Sequence, residues 1–366
     1  MTIQRAEIFH IKIRMPHPFE TSFGVIADRP AVIVKLTSDS GLVGYGESST
    51  LDMPMSEPET TAEAVALLQK KLSPLIGMPI NKDLDVVKLS ADDRNPVSFF
   101  GIEGAYLDLV AQSQNISLHH FFGAVQSKVE AGESVGLHPS LGEVLAEVEK
   151  YVSAGLSRVK VKIAHGRDLD IIREVRNAFP SLCLGADANT DYTRGDIDHL
   201  AKLAEYDLAF VEQPFKADDY ASHAALRRTG IKICLDETIR DFETCRRAIQ
   251  EKACDMVNIK PARIGSFRES KKIHDLCVEN HIPLFGGGRL ETGIGKTANA
   301  AFYALPGFTE ASDITPPQDY LESDVIIPPF EVKEGIHEIS NLPGLGVTIN
   351  EEKLKGLCVE HYTFPR

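Results

Sequence analysis

The run Val159-Lys160-Val161-Lys162-Ile163 is the stretch on which the fold turns. Valine and isoleucine alternating with lysine read as a strand, and both lysines then stand on one face of it. A helical pattern follows in which Ile172, Val175 and Phe179 share a face. Further short apolar runs come after it: Leu182-Cys-Leu-Gly-Ala186, Leu208-Ala-Phe-Val211, Ile231-Lys-Ile-Cys-Leu235, Met256-Val-Asn-Ile259 and Ile282-Pro-Leu-Phe285. The polar residues at the ends of the first five runs are Lys162, Asp187, Glu212, Asp236 and Lys260, separated by 25, 25, 24 and 24 residues. That period is one strand, one helix and two loops. It predicts an α/β barrel of the TIM type, whose functional groups gather at the C-terminal ends of its strands.

In a closed barrel consecutive strand ends are neighbours, so Asp187, Glu212 and Asp236 are expected to converge on one point. Three carboxylates there call for a cation, and hard oxygen ligands with room for water and substrate suit Mg²⁺, with Mn²⁺ as a substitute. One such Asp alone would read equally as a helix cap. Two lysines on an inward face are costly to bury unless they pair with charge or do chemistry. Lys160 beside Lys162 is expected to lower the proton affinity of either amine. Taken alone, Lys-Val-Lys also fits a solvated edge strand. Lys260 lies four strands round from Lys162 and would approach a bound ligand from the opposite side. Bases facing each other across a metal imply abstraction of a proton α to a carboxylate, with the enolate held by the metal.

The residues before the repeat look different. Ala31-Val-Ile-Val-Lys-Leu36, the turn Ser38-Asp-Ser-Gly41 and Leu42-Val-Gly-Tyr45 read as a hairpin. Two helical patterns follow, through Thr61, Ala64, Val65, Leu68 and Leu72, and through Ile102, Ala105, Tyr106, Leu109 and Val110. Ala91-Asp-Asp-Arg-Asn-Pro96 reads as a loop. Residues 1–125 are therefore expected to form an α+β unit, 126–325 the barrel, and 326–366 a C-terminal segment. With 39 Lys+Arg against 53 Asp+Glu the formal charge is −14, which argues against nucleic acid and anionic membrane as partners. The N-terminus has no apolar leader, no apolar run reaches a membrane span, and the six cysteines form no CxxC pair. A cytoplasmic protein with reduced thiols is expected.

The motifs Lys160-Val-Lys162, Asp187-Ala-Asn189, Val211-Glu-Gln-Pro214, Asp236-Glu237 and Asn258-Ile-Lys-Pro261 together resemble the enolase superfamily, muconate-lactonizing branch. Sites of that superfamily set a tuned lysine or histidine base beside bound Mg²⁺ that stabilises an ene-diolate. Gly287-Gly288-x-Leu290-Glu-Thr-Gly293, Ser312-Asp-Ile-Thr-Pro316, Ile327-Pro-Pro-Phe330 and Pro343-Gly-Leu-Gly346 are similar to the o-succinylbenzoate synthase / N-succinylamino acid racemase family. The resemblance covers essentially the whole chain. It implies a modified (β/α)7β barrel closed by an N-terminal α+β capping domain to which the C-terminal segment returns, and a homo-oligomer. By resemblance, Asp187, Glu212 and Asp236 are the Mg²⁺ ligands, Lys162 and Lys260 the acid/base pair, and Lys160 the neutraliser of the substrate carboxylate. Asn189 and Glu237 match positions just behind the ligands. Ser22 and Phe23 match a loop over the substrate, and Ser134, Gly287, Gly288, Arg289 and Glu291 the pocket wall.

Two positions depart from the family pattern. Arg289 stands where an apolar methionine is usual, and is expected either to place a cation in the pocket or to pair with Glu291 or another acid. Tyr106 replaces a usual tryptophan, and the chain has no Trp. The implied reaction is the syn dehydration of 2-succinyl-6-hydroxy-2,4-cyclohexadiene-1-carboxylate, or racemisation of an N-succinylamino acid. Dipeptide epimerase and muconate cycloisomerase would keep the same lysines and ligands. A phosphate-binding barrel using Gly286-Gly-Gly288 leaves the opposed lysines unexplained, and a binding protein on this scaffold would be expected to have lost a base or a ligand.

Overall fold

The computed structural model describes residues 1–21, 24–55, 57–81 and 95–365. Its N-terminal part is an antiparallel sheet of β1 (Ile3–Thr21), β2 (Gly24–Ser38) and β3 (Val43–Ser48), covered by α1 (Thr61–Leu72) and α2 (Pro96–Ser113). Thr60 caps α1 in a reciprocal box with Glu63. Strand β1 has no counterpart among the sequence expectations. Ala6 and Ile8 are buried on one face and Phe9, Ile11 and Ile13 on the other, so Ala6–Phe9 is buried throughout, while Ile11-Lys-Ile-Arg-Met15 alternates buried and exposed. Pro96 opens α2 instead of closing a loop, because its missing N–H is no loss in a first turn. Residues 91–94 of the expected loop lie outside the described residues.

After α3 (Leu118–Phe122) come eight parallel strands: β4 (Lys128–Val135), β5 (Arg158–Lys162), β6 (Cys183–Asp187), β7 (Phe210–Glu212), β8 (Ile233–Leu235), β9 (Met256–Ile259), β10 (Leu284–Gly286) and β11 (Ser312–Asp313). The helices α4 (Leu141–Ser153), α5 (Leu169–Ala178), α6 (Ile197–Leu200), α7 (Tyr220–Arg227), α8 (Phe242–Gln250), α9 (Pro261–Ile264), α10 (Phe267–Glu279) and α11 (Gly293–Tyr303) fill the seven connections. Hydrogen-bonded order runs from β10 down to β4 and on to β11. Gly286 N–H donates to Ser312 Oγ at 2.9 Å across the remaining gap, nearly closing the ring. This is the modified (β/α)7β barrel with its capping domain.

The chain ends with β12 (Ile326–Ile327), β13 (Ile336–Glu338), β14 (Thr348–Ile349), α12 (Glu351–Gly356) and β15 (Cys358–Phe364). β15 pairs antiparallel with β1, Ala6 opposite Phe364, and so adds a fourth strand to the capping sheet. Strands β6, β7, β8 and β10 start one or two residues later than their apolar runs, yet the strands of the repeat finish at the polar residues that set the period. Lys162, Asp187 and Glu212 are the last residues of β5, β6 and β7, while Asp236 and Lys260 directly follow β8 and β9. Parallel pairing sets Lys162 opposite Asp187 and Asp187 opposite Glu212. Among the described residues no helix is long and apolar enough to cross a membrane.

Candidate active site

Strand β5 carries Arg158, Lys160 and Lys162 at every second residue, so all three enter the barrel interior. Arg158 forms the floor. It donates to Asp313 at 2.6 Å and lies 4.8 Å from the Phe285 ring centre. Lys160, 1% exposed, donates to Glu212 at 2.6 Å and to Asp313 at 3.3 Å, and lies 3.9 Å from Asp187. Lys162 donates to Asp187 at 2.9 Å and also to the Asn189 side-chain oxygen. On the far wall Lys260 donates to Asp236 at 2.8 Å, and Arg263 grips Asp236 and Glu57. Lys160, Lys162 and Lys260 all line one open cavity between barrel and cap.

One sequence expectation needs correction. Burial favours a neutral Lys160, but Asp313, Glu212 and Asp187 outweigh it and hold the ammonium well above its ordinary range. The acids around Lys160, rather than its neighbour Lys162, set the direction of that shift. The three acids stand at the ends of three adjacent strands. Among the described residues no three His, Cys, Asp or Glu side chains are gathered to hold a metal. Each carboxylate is turned onto an amine or guanidinium, the favourable contact for ionised groups out of water. They nonetheless feel one another. Burial, with Asp187 and Asp236 adding, pushes Glu212 up to about 7 against Lys160. Burial raises Asp236 too, but Arg263 and Lys260 win and hold it well below the usual carboxylate range.

The backbone after the strands is bent to serve these groups. Gln213 and Asn189 sit at φ 39° and 41°, in the left-handed region. Gln213 Oε1 accepts from Asp236 N–H at 2.9 Å and Thr238 N–H at 3.1 Å, which fixes the end of β8. Asn189 donates to Glu237 at 3.2 Å, and burial plus Asp236 push Glu237 up to about 7. A Cβ on Gly287 would lie 2.4 Å from both Asn258 Oδ1 and Lys260 Cε, so only glycine leaves Lys260 its place.

Of the remaining expected residues, Ser134, Gly288 and Arg289 line the cavity. Gly287 stands behind Lys260. Glu291 is 1% exposed and faces Asn299, Lys296 and the Arg289 N–H behind the wall. Ser22 and Phe23 lie outside the described residues. Sequence reasoning assigned no role to Glu133, Lys296, Asp313, Thr315 or Tyr320, all on the cavity wall. Asp313 was within reach of it, since the Ser312-Asp-Ile-Thr-Pro316 motif ends the eighth strand.

Cap and barrel meet through buried carboxylates. Glu47 of β3 accepts from Thr292 N–H at 3.1 Å, Thr292 Oγ at 2.6 Å and Gly295 N–H at 3.0 Å, capping α11 from the other layer. Glu103 of α2 likewise accepts from Ser266 Oγ at 2.8 Å and from Phe267 N–H at the start of α10. Arg29, fully buried, donates to the carbonyls of Leu290 at 2.8 Å and Arg289 at 3.3 Å. These contacts lock the 287–295 loop to the cap.

Residues 5–123 match the mandelate racemase / muconate lactonizing enzyme N-terminal domain, and residues 143–353 match the enolase C-terminal domain-like family. The chain is 36% identical to the o-succinylbenzoate synthase of Bacillus subtilis, over 96% of each chain. It is also 36% identical to the N-succinylamino acid racemase of Thermus thermophilus, over 95% of each. A dipeptide epimerase from Cytophaga hutchinsonii, solved with Mg and the dipeptide D-Ala-L-Val, superposes with a TM-score of 0.91 at 26% identity, covering 99% of this chain and 100% of that one.

Proposed function

Because the chain belongs to the enolase superfamily, with mandelate racemase / muconate lactonizing enzyme N-terminal and enolase-like C-terminal domains, we propose that it abstracts the proton α to a substrate carboxylate, and that its reaction is o-succinylbenzoate synthesis. The observation that carries this reading is the placement of Lys162 and Lys260 on opposite walls of one cavity, each in hydrogen-bond contact with an acid. The likeness to synthases over nearly the full chain supports the choice of reaction.

In this reading Lys162 removes the α-proton of 2-succinyl-6-hydroxy-2,4-cyclohexadiene-1-carboxylate. It then returns that proton to the neighbouring hydroxyl, which departs as water from the same face and leaves the aromatic 2-succinylbenzoate. The Asn189 oxygen orients Lys162 for both transfers. Lys160, kept cationic by Asp313, Glu212 and Asp187, neutralises the carboxylate as negative charge grows on it. Lys260 supplies a second cation across the cavity. Asp187, Glu212 and Asp236 are hard oxygen donors from three adjacent strands whose charges press on one another, a set that suits Mg²⁺. When bound, Mg²⁺ would stabilise the enediolate charge.

Racemisation of an N-succinylamino acid is the second reading, favoured by the same opposed amines. Lys162 and Lys260 would then exchange roles on the two faces of the α-carbon, as the likeness to the Thermus racemase suggests. Solvent deuterium exchange tests both. With Mg²⁺ the α-hydrogen of N-succinylamino acids should wash out and the cyclohexadiene acid should aromatise, both stopped by chelation and by Lys162→Ala. Full racemase turnover and exchange of both enantiomers in Lys260→Ala would refute the two-base assignment.

A further inference from the structure

Among the described residues six cationic side chains line the cavity, and each lies within 4 Å of an acid. Lys160 is bonded to Glu212, Lys162 to Asp187, Lys260 to Asp236, and Arg263 to Glu57 and Asp236. Lys296 lies 3.4 Å from Glu291. Arg289 has the loosest pairing and is the one whose charged head makes no hydrogen bond. Its closest acid is Glu57, at 3.6 Å from Nη1, beyond hydrogen-bond range and already engaged by Arg263. Its Nε is buried with no partner, and among the described residues its guanidinium donates no hydrogen bond.

A buried guanidinium with open donors is a poor resting state, since an unmet buried donor is more costly than a made bond is favourable. Its backbone is nevertheless fixed. Arg289 N–H donates to Glu291 at 3.0 Å, its carbonyl accepts from Arg29, and Leu290 beside it is held at φ 55°. The side chain is thus presented to the cavity by a loop locked to the cap, with 8% of its surface still exposed. We propose that Arg289 is a specificity-determining residue which binds a second carboxylate of the substrate, remote from the α-carbon. The planar guanidinium fork matches a carboxylate in two parallel hydrogen bonds, which the apolar methionine expected here could not make. The inference rests on the proton-abstraction reading of this cavity and assigns a residue to the distal carboxylate that both proposed substrates carry.

Calorimetric binding of 2-succinylbenzoate and of 2-butanoylbenzoate, which has a methyl in place of the distal carboxylate, tests it on the Mg²⁺-loaded enzyme. The wild type should bind the dicarboxylate roughly tenfold to a hundredfold more tightly. Arg289→Met should bring that ratio close to one, and Arg289→Lys should keep part of it. Equal binding by the wild type, or a ratio unchanged in Arg289→Met, would overturn the proposal. Should Arg289→Met fail to fold, the wild-type ratio and its size in Arg289→Lys still decide. A protein that shows the Arg289-dependent ratio but no α-hydrogen exchange would sink the proposed reaction and leave the anion site standing. Exchange without that ratio would do the reverse.

Discussion

Replacing Glu47 by Gln removes a charge from the seam between cap and barrel while keeping the side chain's shape. Burial pushes this carboxyl from 4.5 up to about 7, against the pull of Arg29 and the Thr292 hydrogen bond. Between these values the unfolded chain has lost the proton and the folded chain retains it. Stability therefore falls as pH rises through the window, by about 1.4 kcal/mol per unit. Glu47's contribution is complete below about pH 4.5 and gone above about pH 7. Glu47→Gln cannot titrate. The stability of the wild type minus that of the variant should thus drop by about 3 kcal/mol from pH 5 to pH 8, and other titrating acids cancel in the difference. Glu47→Ala strips Thr292 and Gly295 of their acceptor and should be about 2 kcal/mol less stable than Glu47→Gln at either pH. Urea unfolding followed by circular dichroism at both pH values measures this, since the chain lacks the Trp that fluorescence would use. A difference that is flat in pH, or that grows with pH, refutes a buried carboxyl with a raised pKa.

Gly287→Ala would put a methyl 2.4 Å from Lys260 Cε, so Lys260 must move; turnover should fall at least a hundredfold while melting temperature changes by only a few degrees, and near-normal turnover would contradict the packing. Arg29→Met leaves the carbonyls of Thr50, Arg289 and Leu290 without their donor and should cost about 3 kcal/mol or more in urea unfolding. It should also blunt the Arg289-dependent preference for a dicarboxylate; a variant as stable and as selective as the wild type would show that the clamp is idle.

Much of the barrel was legible because its signal is local. Met256–Ile259 and the 24- to 25-residue spacing of polar strand ends follow from short apolar runs that repeat along the chain. Strand β1 was only half legible: Ile11-Lys-Ile-Arg-Met15 alternates as a strand does, but Ala6–Phe9, buried on both faces of a central strand, does not. Lys160 and Lys162 were placed on one face by the period of a strand, but the proton affinity of Lys160 was not. It depends on Asp313, which lies 153 residues further along and reaches Lys160 only when the ring closes.

The sequence by itself determined the family, the strand order and the convergence of lysines and acids at strand ends, since each follows from residue type and spacing. Only the tertiary structure decided which acid meets which cation. That raises the proton affinity of Lys160 and turns the three carboxylates onto amines and a guanidinium. It also leaves Arg289 without a hydrogen-bonded partner in a wall of satisfied charges. Electrostatic energy out of water depends on contacts of a few ångströms between residues distant in the chain, and no local pattern encodes such contacts.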